Sequence, residues 1–358
     1  MIGDLANKIK ESKIVGSDLE AVLLSVCALG DDKKEEDLSL ILKLPELNIS
    51  QIKEYQGTEQ VKKFIFRPQN LSEYVGQEKA KKVIKTNLLK IKKLRPVHFL
   101  IDGLKGHGKS TLAKIIANSL DSECYEIIAS EITLDKLTEI INWINTCEKL
   151  PIIFIDEIHG LDGKIIEILY PIMEDYKIEG KRIKPFVLIG ATTEKNVLVQ
   201  NYSPFVDRFQ VQITLERYMV DDIVKILKQY KEKIYPEFKV DDNDLKTIAE
   251  NCKFTPRIAI SMLEDLLIIE KVEEVLDMHN IIIDGLDSVD IKILQILDKS
   301  EKPVGEEALA MMLGLSRKDY KFLHEAYLIE MGYMARGRTG RFITEKGKKV
   351  LEKLDKQL

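Results

Sequence analysis

Eight residues, from Gly103 to Ser110, have the types and spacing of a phosphate-binding loop, G-x-x-x-x-G-K-[ST]. The glycines of such a loop let the backbone approach phosphate oxygens, and free N–H groups at the loop and helix start point at them. Lys109 would reach the β- and γ-phosphates, and the Ser110 hydroxyl would bind Mg²⁺. The sequence therefore predicts a site for ATP and Mg²⁺, formed by Gly103, Gly106, Gly108, Lys109, Ser110 and Thr111.

Two adjacent carboxylates supply the second half of such a site. Asp156 and Glu157 follow an apolar run, residues 151–155, that has the composition of a buried strand. At the tip of a strand next to the phosphate-loop strand, Asp156 would hold Mg²⁺ through water. Glu157 would then polarise the attacking water. Because isolated buried carboxylates are costly, the pair favours nucleotide hydrolysis over nucleotide binding alone.

The apolar runs around these motifs predict the elements that position them. Residues 97–101 form an apolar run before the phosphate-binding loop, and residues 111–117 have the pattern of a helix after it. Strand, glycine-rich loop and helix N-terminus in this order are the context that the loop requires. Helical patterns separate the strands, as in a parallel α/β sheet. The predicted strands are residues 97–101, 124–128, 151–155, 186–191 and 210–215.

Changes of pattern divide the chain into four regions. Residues 1–62 have helical apolar spacing and are interpreted either as a docking element or as an extension packed on the core. Residues 63–218 carry the nucleotide motifs, residues 219–285 predict a helical lid, and residues 286–358 predict a winged helix. The predicted fold class is an α/β P-loop NTPase core with a helical lid domain, a C-terminal winged-helix domain and a helical N-terminal extension.

The C-terminal region has a basic character that the rest of the chain lacks. Two short predicted strands, residues 332–335 and 342–344, flank a glycine-rich turn that carries Arg336, Arg338 and Arg341. Residues 331–358 hold eight basic and three acidic side chains, although the whole chain has a formal net charge of -5. A solubilising surface helix would explain the C-terminal lysines but not the three arginines. The pattern therefore predicts that these arginines contact the phosphate backbone of DNA.

Composition excludes several other classes of protein. With 358 residues, 45% hydrophobic and 32% charged, the chain fits a globular protein of two or three domains. It contains no apolar stretch long enough to span a bilayer and no N-terminal pattern of a signal peptide. The four scattered cysteines have no metal-ligand spacing, so we expect a reduced, cytoplasmic compartment and no structural metal.

Several further segments of the chain have a distinctive order and spacing. They are Arg67-Pro68, residues 71–77, Asp156-Glu157-Ile158-His159, residues 169–176, Gly190-Ala191-Thr192-Thr193, residues 203–209 and Thr255-Pro256-Arg257. In that order and spacing they resemble the RuvB family, hexameric AAA+ motors of Holliday-junction branch migration. The resemblance covers the chain from about residue 64 to the C-terminus, and its motifs are not generic features of P-loop proteins.

The resemblance implies roles for four residues that the bare sequence leaves unassigned. Thr193 matches sensor 1, which hydrogen-bonds the γ-phosphate or the attacking water. Arg208 matches the arginine finger that enters the site of the neighbouring subunit, and Arg257 matches sensor 2, which reaches the phosphates from the lid. Tyr218 matches the tyrosine that closes the adenine pocket. With Lys109, Asp156 and Glu157, the catalytic set implied is Lys109, Asp156, Glu157, Thr193, Arg208 and Arg257.

The family resemblance also implies partners and an activity. It implies an ATP-driven, ring-forming motor, a homo-hexamer, that moves double-stranded DNA at branched junctions. A clamp-loader- or helicase-loader-like ATPase that remodels a protein partner is the alternative. A third hypothesis, a winged-helix DNA binder that uses ATP only as a switch, is disfavoured because a switch does not need both Glu157 and Arg208.

Four departures from the family pattern bear on these roles. The phosphate-binding loop, which includes Lys105 and His107, reads Gly-Leu-Lys-Gly-His-Gly-Lys-Ser, whereas the family usually has two prolines after its first glycine and threonine after its lysine. Val206 and Thr339 replace family arginines. The stretch between Tyr176 and Pro185 is shorter than the family hairpin that contacts the partner protein RuvA, so binding to such a partner becomes an open question.

Overall fold

A five-stranded parallel sheet forms the centre of the nucleotide domain. The structure is a computed structural model that describes residues 66–178 and 180–356, so the extension predicted over residues 1–62 lies outside the described residues. The five predicted strands are confirmed, with bounds that shift by one or two residues. They are β1 Phe99–Asp102, β2 Cys124–Ile128, β3 Ile152–Asp156, β6 Val187–Thr192 and β7 Val211–Thr214.

The three inner strands β1, β3 and β6 are buried on both faces, which explains their near-continuous apolar runs. Along β3, Ile153 and Ile155 pack into one core cluster, while Ile152 and Phe154 pack into another. Alternate side chains point to opposite faces of a strand, so the two clusters lie on the two sides of the sheet. Five helices belong to this domain: α1 Glu78–Lys93, α2 Lys109–Ser119, α3 Leu134–Thr146, α4 Gly163–Asp175 and α5 Lys195–Val206.

The strand order places three functional segments at one edge of the sheet. The order is β2-β3-β6-β1-β7, so β6 lies between the phosphate-loop strand β1 and the carboxylate strand β3. The prediction that β3 adjoins the phosphate-loop strand is therefore wrong. All the pairings are parallel. The carboxyl ends of the strands, and the loops that follow β1, β3 and β6, consequently meet at the same edge.

A short hairpin precedes β6 and joins it to α4. It consists of β4 Lys177–Ile178 and β5 Lys181–Arg182, with Gly180 in the turn at φ 77°. The Ile183 N–H donates to the Tyr176 carbonyl over 2.7 Å and closes the base of the hairpin. The two-residue strands match the short stretch between Tyr176 and Pro185.

Helices follow the sheet, as the sequence predicts. The helices of the lid region are α6 Val220–Ile234, α7 Asp242–Asn251, α8 Pro256–Ile269 and α9 Val272–Met278. A pair of short strands, β8 Ile281–Ile283 and β9 Leu286–Asp287, leads into the winged helix. The boundaries at residues 218 and 285 stay predictions.

The winged helix contains the predicted helices and an arginine-bearing hairpin. The Ser316 side chain accepts a hydrogen bond from the Asp319 N–H and caps the helix that begins at Arg317. The wing strands begin one or two residues away from their predicted positions. The elements are α10 Ser288–Asp298, α11 Glu306–Leu313, α12 Arg317–Asp319, a π-helix Tyr320–Glu325, α13 Ala326–Glu330, β10 Met334–Arg336, β11 Arg341–Ile343 and α14 Glu345–Asp355.

Neither a membrane-spanning helix nor a disulfide occurs within the described residues. Each helix over this part of the chain is too short or too polar to cross a bilayer. Cys124, Cys147 and Cys252 are free thiols, and Cys27 lies outside the described residues.

Candidate active site

The phosphate-binding loop has the backbone that its glycines predict. Gly106 and Gly108 have φ of 82° and 86°, a region that favours glycine. A Cβ on Gly106 would lie 2.7 Å from Thr255 Cγ2, and one on Gly108 would lie 2.8 Å from Tyr74 Oη. Gly108 is the N-cap of α2, so the first N–H groups of this helix face the hollow of the loop.

Lys109 lies inside this loop and faces the two carboxylates. Its Nζ donates to the carbonyls of Gly103 and Leu104 over 2.9 and 3.2 Å. Burial lowers the pKa of Lys109, and the nearby charges of Glu157 and Asp156 partly offset that effect. The ammonium group is therefore desolvated and close to both carboxylates, which suits an electrostatic role toward phosphate.

Ser110 and Asp156 meet as the sequence predicts. Ser110 Oγ donates to Asp156 Oδ2 over 3.2 Å, and the backbone N–H of Glu157 donates to Asp156 Oδ1 over 3.0 Å. A hydroxyl and a carboxylate at this separation are hard oxygen ligands of the kind that Mg²⁺ takes in proteins. The residues present therefore fit the predicted metal.

Glu157 is held at the tip of β3 in an unusual backbone conformation. It has φ 48° and ψ 46°, the left-handed region, which costs an L-residue roughly 1–2 kcal/mol. Thr193, directly after β6, donates its hydroxyl to Glu157 Oε2 over 3.0 Å. The residue assigned to sensor 1 and the residue assigned to water activation are thus in direct contact.

A histidine that sequence reasoning left without a role joins this pair. His159 Nδ1 lies 3.1 Å from Thr192 Oγ1 and 3.3 Å from Glu157 Oε2, and Nε2 lies 3.4 Å from Glu194 Oε1. A 3-10 turn, Ile158–Gly160, returns the His159 ring toward Glu157. The sequence signal for His159 was its place in the segment Asp156-Glu157-Ile158-His159, which resembles the family pattern.

Tyr218 is one of the aromatic residues that pack beneath the phosphate-binding loop. Tyr218 is buried, and its hydroxyl lies 3.2 Å from Tyr74 Oη and donates to the His107 carbonyl over 3.3 Å. The His107 ring packs edge-on against Tyr218, with centroids 5.9 Å apart. Burial lowers the pKa of His107 to about 4, so its ring is neutral. The atypical His107 therefore packs under the loop as a neutral ring.

The lid brings Arg257 to the phosphate-binding loop. Arg257 is an exposed residue in the first turn of α8, and its Cβ lies 3.3 Å from the position of a Cβ built on Gly106. Its charge contributes to the lowered pKa of Lys109. The sensor 2 role that the resemblance implies for Arg257 stays a prediction.

Arg208 lies away from these residues, on the side of the sheet where the strands begin rather than where they end. It precedes β7, whose first residue, Val211, pairs with the first residue of β1, Phe99. Arg208 therefore lies near the amino ends of strands whose carboxyl ends meet the phosphate-binding loop. Its guanidinium donates to Glu174 and to the Pro204 carbonyl, each over 2.9 Å, and its side chain is 30% exposed.

Two of the residues that depart from the family pattern lie in contrasting surroundings. Val206 is buried in the core cluster on one side of the sheet, and Thr339 is exposed in the wing turn. The family arginine at position 206 is thus replaced here by an apolar core residue.

The structure corrects the assignment of one wing arginine. Arg336 and Arg338 are exposed, whereas Arg341 is buried. The Arg341 guanidinium lies 2.6 Å from Glu306 and 2.7 Å from Glu325. This buried ion pair turns the side chain into the domain, so Arg341 is not available to a DNA phosphate.

A shift of one residue accounts for that error. The sequence prediction placed Arg341 in the turn, but β11 begins at Arg341. In a strand, residues two apart share a face, so Arg341 lies on the face of Ile343, which packs against the domain core.

The class of the protein follows from this architecture. A phosphate-binding loop, an Asp-Glu pair, a sensor strand inserted between them and a helical lid define an AAA+ P-loop ATPase. The model of the Holliday junction DNA helicase RuvB P-loop domain matches residues 66–215, and that of the RuvB C-terminal winged helix domain matches residues 284–352.

Known relatives extend over most of the chain. The Holliday junction branch migration complex subunit RuvB of Kosmotoga olearia is 32% identical over 81% of this chain and 90% of its own length. The same subunit of Fervidobacterium nodosum is 34% identical over 80% and 89%. The Thermotoga maritima RuvB Holliday junction branch migration motor superposes with a TM-score of 0.70 at 33% identity, covering 80% of this chain and 98% of that one. The chain belongs to the RuvB family.

Proposed function

We propose that this protein is an ATP-driven, ring-forming motor that moves double-stranded DNA at branched, Holliday-type junctions. The observation that carries the proposal is the position of Arg208, at the sheet edge opposite the phosphate-binding loop of its own chain. The loop, Asp156, Glu157 and Thr193 form the hydrolytic part of a site, and a finger from a neighbouring copy would complete it. Relatives named as branch migration subunits support the DNA substrate.

Each residue of the nucleotide site has a distinct proposed task. Lys109 and the N–H groups of the loop would hold the phosphates, and Arg257 would reach them from the lid. Ser110 and Asp156 would hold Mg²⁺, which supplies charge neutralisation on the phosphate oxygens. Glu157 would accept a proton from the attacking water, and Thr193 would orient that carboxylate through the 3.0 Å contact.

The finger explains why a ring is proposed rather than a monomer. Arg208 stabilises transition-state charge only if its guanidinium reaches a γ-phosphate, and such fingers supply on the order of 10³–10⁵ in rate. In one chain, the sheet separates Arg208 from the loop. A closed ring of copies, six in the proposal, would place each Arg208 against the next site.

The exposed wing arginines are the proposed contact with DNA. Arg336 and Arg338 lie next to each other around the wing turn and are exposed to solvent. Arginines on a two-stranded wing can contact the phosphate backbone without reading bases. Sequence-independent contact is what a translocating motor requires.

The proposal also covers a protein partner and the cellular compartment. The hairpin β4–β5 exposes Lys177, Lys181 and Arg182, which gives a potential partner surface a positive charge. A RuvA-like protein would have to fit this short basic hairpin. A DNA-processing role also agrees with the cytoplasmic compartment that the cysteine pattern predicts.

The first test is an ATPase assay with and without duplex and four-way-junction DNA, with oligomer mass recorded in the same samples. Stimulation by DNA together with ring assembly, followed by branch migration of the junction, supports the motor. ATPase activity that ignores DNA and instead responds to a protein partner, in an open or incomplete ring, supports the loader-like alternative.

A further inference from the structure

His159 occupies a position between two carboxylates at the catalytic edge of the sheet. Its two ring nitrogens face different residues: Nδ1 lies 3.1 Å from Thr192 Oγ1 and 3.3 Å from Glu157 Oε2, and Nε2 lies 3.4 Å from Glu194 Oε1. The His159 side chain is only 15% exposed, while Glu157 is 41% exposed. The His159 ring is therefore largely shielded from solvent, whereas the Glu157 carboxylate that it contacts is more exposed.

The backbone of Glu157 makes such a support necessary. Because the left-handed conformation is strained for glutamate, the local chain does not favour this orientation of the side chain. Two groups converge on Oε2, the Thr193 hydroxyl at 3.0 Å and His159 Nδ1 at 3.3 Å. Two contacts to one oxygen fix the plane of the carboxylate and leave Oε1 as the oxygen that can take a proton from water.

The second contact of His159 leads to another functional element. Glu194 is the N-cap residue of α5, and its backbone N–H donates to Thr192 Oγ1 over 3.0 Å. The chain reaches Arg208 directly after the C-terminal end of α5. His159 therefore joins the catalytic glutamate to the helix whose far end precedes the proposed finger.

We propose that His159 is a positioning residue that orients Glu157 for water activation through Nδ1 and is itself anchored to α5 through Nε2. The inference rests on the proposed role of Glu157 as the group that activates water. It assigns His159 no contact with nucleotide or metal, so its effect should fall on the chemical step and not on ATP binding.

Three substitutions separate the two nitrogens. His159→Ala removes both contacts, His159→Asn keeps an amide close to the position of Nδ1, and His159→Gln extends its amide toward the position of Nε2. We expect His159→Ala to lower kcat for ATP hydrolysis about 10²-fold, the cost of a misplaced reactive group, with KM changed less than about twofold. His159→Asn should recover most of kcat, and His159→Gln should not.

A matched control comes from the lid. His279 Nε2 lies 2.7 Å from Asp265 Oδ2, with 24% of the side chain exposed, so it is a second partly buried histidine paired with an acid. His279→Ala should leave kcat within about twofold of the parent protein. Thermal midpoints of all variants, measured without nucleotide, report whether any loss of rate follows a loss of folding.

The outcomes distinguish this inference from the proposed function. A His159→Ala protein with kcat within threefold of the parent overturns the positioning role, as does a loss that accompanies a lowered thermal midpoint and is not recovered by asparagine. Glu157→Gln is assayed beside them with the same DNA. If Glu157→Gln hydrolyses ATP normally, the role of Glu157 fails; if it is inactive while His159→Ala is active, only the inference about His159 fails.

Discussion

The nucleotide site and the DNA-binding wing use charged side chains in opposite ways. At the carboxyl ends of the sheet strands, residues at or after the ends of β1, β3 and β6 converge, with Ser110, Asp156, Glu157 and Thr193 linked by contacts of 3.0–3.2 Å. In the wing, three arginines within six residues diverge, because two are exposed and Arg341 is buried. Charged groups far apart in sequence can therefore act together, while neighbours in sequence can have unrelated roles.

The two regions also differ in how far neighbouring carboxylates compensate their buried cations. Burial lowers the pKa of Lys109, so its ammonium group is incompletely compensated and prepared for an anionic ligand. Arg341 is compensated by two glutamates and has a raised pKa because its hydrogen bonds to them outweigh burial. The nucleotide site thus retains binding capacity, whereas the buried wing arginine contributes only to the fold.

The largest expected effect is on Arg208. Arg208→Ala should lower ATP turnover by roughly 10³–10⁵ because the transition-state charge loses its finger. Mixed rings with Lys109→Ala subunits should regain activity, since each mutant supplies the group that the other lacks. Steady-state ATPase rates across mixing ratios measure this, and the absence of recovery would count against action in trans.

Glu157→Gln should have the next largest effect. Turnover should fall by about 10²–10⁴, the usual contribution of a positioned acid–base group, while ATP binding persists because the loop is intact. Nucleotide binding by fluorescence and single-turnover hydrolysis separate the two steps. Equal losses in both would show that Glu157 acts in binding rather than in water activation.

Arg341 provides the sharpest contrast with the nucleotide site. Arg341→Ala should lower the free energy of unfolding by about 3–5 kcal/mol, because Glu325 would keep a buried, uncompensated charge, while Glu306 would keep its ion pair with Arg317. The exposed Arg338→Ala should change it by less than about 0.5 kcal/mol. Urea unfolding followed by circular dichroism measures both, and similar stabilities for the two variants would contradict the buried role.

A buried neutral group in the sheet should respond to pH. His98 accepts from the Leu188 N–H at Nδ1, lies 3.1 Å from the Met173 carbonyl at Nε2, and burial lowers its pKa to about 4. Since an unfolded histidine titrates near 6.5, stability is lost as pH falls from about 6.5 to 4, by about 2 kcal/mol at pH 5. Unfolding free energies at pH 7 and 5 should show this slope, and His98→Gln should reduce it without removing it, because burial lowers the pKa of His107 to about 4 as well.

The smallest effect concerns the exposed wing. Arg336→Ala combined with Arg338→Ala should weaken DNA binding about equally for all sequences and reduce the slope of log K against log salt by about two. Binding titrations at several salt concentrations measure that slope, with Thr339→Ala as the neighbouring control. An unchanged slope would move the DNA contact to another surface.

The local residue pattern was enough to predict much of the fold and of the candidate site. The inner strands β1, β3 and β6 were predictable because each is a short, buried apolar run. The phosphate-binding loop was predictable because its chemistry depends on eight consecutive residues. The bounds of the wing strands shifted by one or two residues, and that shift was enough to change the surroundings of Arg341.

By itself, the sequence determined the α/β nucleotide domain, the phosphate-binding loop, the Asp156-Glu157 pair and a basic wing, because each depends on residues that are close along the chain. Only the tertiary structure decided the insertion of β6 between β3 and β1, the placement of Arg208 at the opposite sheet edge and the position of His159 between Glu157 and Glu194. It also decided the burial of Arg341. These features depend on which distant strands and helices pair, and composition and spacing do not encode that pairing locally.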